Sequence, residues 1–143
     1  MKGYDNTGET IDAVLNATKT ALMAAAVDVH GQAVELAPVK HGNLKGSLSW
    51  TVGGKVGGLN SPGGKQPTGT PKRATADQGV TKTDDDETAY VGTNVEYAVY
   101  MEYGTSKIPG GRPFLRRALD AREKYVPEIM KKHYQKALRG VVK

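Results

Sequence analysis

The sequence predicts an α+β fold on three observations. Apolar residues recur at steps of four and three from Ile11 to Leu36, strict alternation runs from Ser47 to Val52, and helical spacing returns from Leu115 to Ala137. The expected order is a long N-terminal helix, a small antiparallel sheet with a long Gly-rich hairpin insertion, a short helix, and a long C-terminal helix kinked near Pro127. One domain is expected over residues 1–143, with a flexible insertion at about 53–88, because a chain of 143 residues suits one hydrophobic core.

For the first helix, Ile11, Leu15, Thr18, Leu22, Ala26, Val29, Ala33 and Leu36 predict one apolar face. The charges Asp12, Lys19, Asp28 and Glu35 fall between them, and Pro38 disfavours helical geometry just ahead of it, so the helix is expected over about Thr10 to Leu36. At ~1.5 Å per residue it is about 40 Å long, more than a compact domain of this size needs, so its N-terminal end is expected to project or to meet another subunit.

Next, Ser47-Leu48-Ser49-Trp50-Thr51-Val52 alternates and predicts a half-buried strand with Leu48, Trp50 and Val52 on its inner face. Ala89-Tyr90-Val91 is the second strand. Between them, Gly53 to Glu87 holds eight glycines, three prolines and few large apolar residues, a composition that cannot build a core. Its basic residues Lys55, Lys65, Lys72 and Arg73 precede its acids, Asp77, Asp84, Asp85, Asp86 and Glu87, with Lys82 among the latter, so it can pair with itself or with a neighbouring copy.

Val95 to Tyr103 predicts a short helix ended by Gly104. Pro109-Gly110-Gly111 is a turn, and Pro113 suits the first turn of a last helix running to about Leu138, where Pro127 should bend or split it near Tyr125. Leu115, Leu119, Val126, Ile129 or Met130, His133 and Ala137 form its apolar line, with Arg122 the one charged member.

Composition narrows the function. With no cysteine, thiolate metal sites, disulfides and a thiol nucleophile are excluded, which suits a reducing cytoplasm. No stretch reaches the ~20 apolar residues of a membrane span and no export signal opens the chain, so a soluble protein is expected. His30, His41 and His133 lie in three different elements, the glycine pairs lack the Lys-Ser/Thr of a phosphate loop, the Asp84–Glu87 run lacks the spacing of a calcium loop, and Glu96 and Glu102 have no partner that spacing identifies. No catalytic residue, metal or cofactor is predicted.

Charge supplies the remaining physical lead. Thr105 to Lys143 holds eleven Lys/Arg against three Asp/Glu. Arg117, Lys124 and Lys131 share a helix face, and Arg116, Lys132, Lys136 and Arg139 widen it into a surface that could meet DNA or an acidic protein. No base-reading motif accompanies it.

Three blocks resemble one family. Ala37-Pro38-Val39-Lys40-His41-Gly42-Asn43-Leu44-Lys45-Gly46-Ser47 is similar to the segment after the first helix of the phage gene-10-like tail-component proteins, with His41 in place of the usual Thr or Ser. Val91 to Thr105, with Tyr97, Ala98, Tyr100, Glu102, Gly104 and Thr105 at the motif positions, resembles a second block, and Arg112-Pro113-Phe114-Leu115 resembles the opening of the family's last helix.

The resemblance implies a structural virion protein of a long-tailed phage at the head–tail interface. It would act in tail completion, termination or head–tail joining as a homo-oligomeric ring, six-fold by analogy with the tail, assembled in host cytoplasm. Tail-tube and connector or stopper proteins are the implied partners, with non-specific contact to genomic DNA. Gly42 and Gly104 are then expected to turn the backbone, Leu44 and Leu115 to be buried, and Tyr97, Tyr100 and Phe114 to pack the short helix against the last. The alternative is a small basic DNA-binding accessory protein; a hydrolase using a His and a carboxylate has little support.

Overall fold

Thr7–Leu36 forms α1, Asn43–Ser47 α2, Ser49–Val52 β1, Lys55–Gly57 β2, Tyr90–Gly92 β3, Ala98–Tyr103 α3, Leu115–Arg122 α4 and Val126–Val141 α5, with single 3-10 turns at Ala76–Gln78 and Glu123–Tyr125. The computed structural model describes residues 7–37, 43–60, 74, 76–85, 87–107 and 109–141. The architecture is α+β: α1 lies along both the sheet and the α4–α5 pair.

The buried line of α1 departs from the expected one only in the helix's N-terminal part. Ala26, Val29 and Ala33 are buried as expected, but ahead of them the buried residues are Ala17, Ala21 and Ala25, whereas Ile11 and Leu15 are 52% and 61% exposed and Leu22 is half-buried. The alanines let α5 approach closely, and the Thr18 hydroxyl meets the Tyr134 hydroxyl at 2.7 Å across the seam. The main core gathers at the other end, where Val29, Ala33 and Val34 of α1 join Leu44, Leu48, Val95, Ala98, Phe114 and Ala118. In its N-terminal half α1 lies along α5, where Ala13, Asn16, Ala17 and Thr20 face His133, Lys136 and Ala137 across a shallow groove. These two helix segments form an arm.

The sheet has the order β2-β1-β3, all antiparallel, with Trp50 opposite Gly57 on one side and Val91 on the other. Gly53 and Gly54 have φ of +55° and +81°, the left-handed pair that a two-residue hairpin needs to match strand twist. The half-buried expectation for β1 is corrected, because Val52 on one face and Ser49 and Thr51 on the other are all inaccessible, while Trp50, expected on the inner face, is half-buried. The hydroxyls of Ser49 and Thr51 accept the backbone N–H groups of Val80 and Thr83 at 2.6 and 3.1 Å. A segment unable to build a core on its own thus covers the polar face of β1 through hydrogen bonds. Asn60 closes the segment's neck: its side-chain amide exchanges two 2.8 Å bonds with the backbone of Ala74.

His30 is buried, with Nε2 2.9 Å from the Leu48 carbonyl oxygen, and it packs on Gly58, whose φ is +86°. A Cβ at position 58 would lie 2.6 Å from His30 Nε2. Gly58→Ala therefore combines a disfavoured backbone with a clash and should lose about 1–3 kcal/mol in urea unfolding.

The break in the last helix lies where Pro127 requires it. Pro127 has no N–H for the Glu123 carbonyl, and the Val126 N–H turns back to that oxygen, tightening one turn into 3-10 geometry before α5 resumes.

Candidate assembly site

Glu102, near the end of α3, accepts four hydrogen bonds through its carboxylate. It is 5% exposed. Gly104, at φ +97°, ends α3, and its N–H returns to the Tyr100 carbonyl. The chain folds back through a loop whose neck is closed by an Arg112 N–H bond to the Met101 carbonyl at 2.7 Å and by contact of Gly111 with Gly104. That contact leaves no room for a Cβ on Gly111. The reversal aims the first amides of α4 at the carboxylate. Phe114 and Leu115 donate to Oε2 at 2.9 and 3.0 Å, and Arg116 donates to Oε1 through its backbone N–H at 2.9 Å and its Nε at 3.1 Å. Arg116 Nη2 also donates to the Glu102 carbonyl at 2.7 Å.

Glu102 thereby performs the capping that the start of α4 lacks. The N-cap residue is Phe114, which makes no side-chain cap and sends its ring into the core at 0% exposure. An anion at the exposed amides of a helix start satisfies donors that otherwise have no partner. Burial alone would raise the Glu102 carboxyl, but the amides of Arg116, Phe114 and Leu115 and the Arg116 side chain outweigh it and hold the group below its ordinary value. The absence of a recognisable partner for Glu102 is corrected by this arrangement; its partners stand twelve to fourteen residues onward. The signal in the sequence was Pro113 at a helix opening with no Ser, Thr, Asp or Asn beside it.

A second clasp ties α4 to α1. Arg122 donates through Nε and Nη2 to the two oxygens of Asp28 at 2.8 and 2.9 Å, which accounts for a charge in the apolar line. The Asp28 hydrogen bond pushes the Arg122 pKa up, although burial works against it. The guanidinium also lies 4.4 Å from the Tyr125 ring centroid, with Lys124 on the same ring at 5.1 Å, and Arg116 covers Tyr103 at 5.0 Å.

Among the other motif residues, Leu44 and Ala98 are buried, Leu115 and Pro113 are half-buried, and Thr105 and Arg112 are exposed. Tyr97 and Tyr100 are 43% and 59% exposed, correcting the expectation that they pack α3 against the last helix; Phe114 and Ala98 fill that contact and Glu102 takes the inward position of α3. Pro38, His41 and Gly42 lie outside the described residues. Arg117, Lys124, Lys131, Lys132, Lys136 and Arg139 are exposed along α4–α5, and no acidic partner is assigned to them among the described interactions.

An open groove of about 420 Å³ runs between α1, β3 and α4, walled by residues such as Ala26, Val29, Val91 and Leu119. Arg116 at its rim is committed to Glu102. Among the described residues no group of His, Asp and Glu is placed to hold a metal ion, and no helix is long and apolar enough to cross a membrane.

The family described as "Bacteriophage HK97-gp10, putative tail-component" matches residues 8–104, about two thirds of the chain. No curated protein and no solved structure shows significant similarity to it.

Proposed function

We propose, for a chain that belongs to the HK97-gp10-like family of phage tail components, that copies of it form a closed ring at the head-proximal end of the tail. That ring would complete or terminate the tail and join it to the head. The tail tube would meet one side of the ring and the connector or stopper proteins the other, six-fold symmetry following that of the tail. No bond is made or broken in this role. The supporting observation is that the protomer leaves large apolar side chains in water beside well-fixed elements: Val99, Tyr100 and Tyr103 of α3 are 60%, 59% and 65% exposed, and Leu119 of α4 is 52% exposed. Val99, Tyr100 and Tyr103, three and four residues apart on α3, group as the exposed apolar side chains that a partner covers do, and a head-to-tail contact repeated by rotation closes into a ring.

Negative-stain images and light scattering of the purified protein test the reading. Rings are expected, with Tyr100→Asp and Tyr103→Asp together yielding smaller particles of unchanged helix content. A wild-type protein that stays monomeric at high concentration would overturn it. The exposed cations of α4–α5, such as Arg117, Lys131 and Lys136, favour one second reading, a DNA-binding accessory. It predicts duplex binding by the isolated protein that falls steeply with log salt, by a slope of about −0.9 per phosphate contact.

A further inference from the structure

The strongest apolar period in the sequence is only partly used inside the protomer. Ile11, Leu15 and Leu22 stand seven and three residues before Thr18 and four after it, so they share its side of α1. Met130 and Leu138 stand four residues either side of Tyr134 and share its side of α5. The 2.7 Å hydroxyl contact between Thr18 and Tyr134 brings these two rows together on one side of the arm. There Ile11, Leu15 and Leu138 are 52%, 61% and 42% exposed, and Leu22 and Met130 are half-buried.

We infer that this side is covered by the same side of the arm of a second copy, giving a four-helix bundle in which α1 of each copy packs on α5 of the other. Charge selects that occupant and that pairing. Within the arm, by sequence, α1 carries Glu9 and Asp12 against Lys19, Asp28 being held by Arg122 of its own protomer, whereas α5 carries Lys131, Lys132, Lys136 and Arg139 against Glu128. Two-fold rotation about an axis along the arm sets acidic α1 beside basic α5 of the partner and keeps all neighbouring helices antiparallel. Pairing like helices would instead set acid against acid and base against base. The mixed pairing also surrounds an apolar seam with polar residues, the pattern of a bundle core. The inference rests on the oligomeric reading only for the presence of sister copies.

The chain has no cysteine, so single cysteines report the contact cleanly. Leu15→Cys and Leu138→Cys are made separately and mixed under mild oxidation. A disulfide-linked dimer joining the two variants is expected, at several-fold higher yield than from either variant alone. Separately, Leu15→Asp should weaken self-association at least about tenfold in sedimentation equilibrium, with the helix content by circular dichroism unchanged because the position is exposed in the lone protomer. Absence of the mixed disulfide, or self-association insensitive to Leu15→Asp, overturns the inference. Rings that persist in such a protein would leave the ring reading intact. A wild-type chain that is monomeric throughout would remove both and indicate that another protein covers the arm.

Discussion

Glu102→Ala is expected to lower the thermal midpoint by about 6–12 °C. The side chain accepts bonds from three backbone amides and one guanidinium while nearly excluded from water. Its removal strands donors at the start of α4 at a cost of about 3 kcal/mol, and a chain of this size loses roughly 2–4 °C per kcal/mol. Glu102→Gln keeps one acceptor oxygen and should lose about half as much. The pH dependence has a defined sign, because the folded carboxyl lies below its ordinary value of 4.5. Its contribution is complete above that value and is lost as pH falls through the lower folded value. The gap between wild type and Glu102→Gln should therefore narrow in that acidic window and stay constant above it. A gap unchanged on acidification would show that the carboxylate charge adds nothing.

Phe114→Ala should cost about 3–5 kcal/mol in urea unfolding, the range for deleting a fully buried aromatic ring. The ring is 0% exposed and belongs to the cluster that joins α1, α3, α4 and the start of the sheet through Ala33, Ala98, Ala118 and Leu48. Its neighbours include small residues that cannot expand into the vacated volume, so the cavity term should be large. Phe114→Leu, which retains most of the volume, should lose about 1.5 kcal/mol. Since the ring sits one residue before α4, the alanine variant should also loosen the Glu102 clasp, and the double variant Glu102→Ala/Phe114→Ala should lose less than the sum. Full additivity would mean that core and clasp act independently.

The helices were legible because their signals are local. The apolar period and Pro38 bounded α1 to within three residues, Gly104 ended α3, and Pro127 broke the last helix where a missing N–H must. The strand at Ser49–Val52 was visible in its alternation, but its second covered face was not. Ser49 and Thr51 look solvent-facing until Val80 and Thr83 donate to their hydroxyls from some thirty residues away. β2 escaped notice because three of the five residues from Gly53 to Gly57 that make its turn and strand are glycine, which leaves no useful alternation; only its pairing with β1 defines it.

The candidate site divides in the same way. The motif residues could be named from their order in the chain, and Phe114 could be expected inside. Their division of labour could not, since a Glu at position 102 carries no sign of which amides it will meet.

By itself the sequence determined the α+β class, the order and approximate ends of the helices, the basic surface of α4–α5 and the likeness to phage tail components. Each of these depends on neighbours along the chain or on composition. Only the tertiary structure decided which side of the N-terminal part of α1 is buried, that Glu102 caps α4, and that Asp28 grips Arg122 across 94 residues. Helical spacing describes a stripe on a cylinder, whereas burial depends on where the next cylinder lies. Alanines allowed α5 to approach on a different side from the larger residues, and Ile11 and Leu15 remained outside.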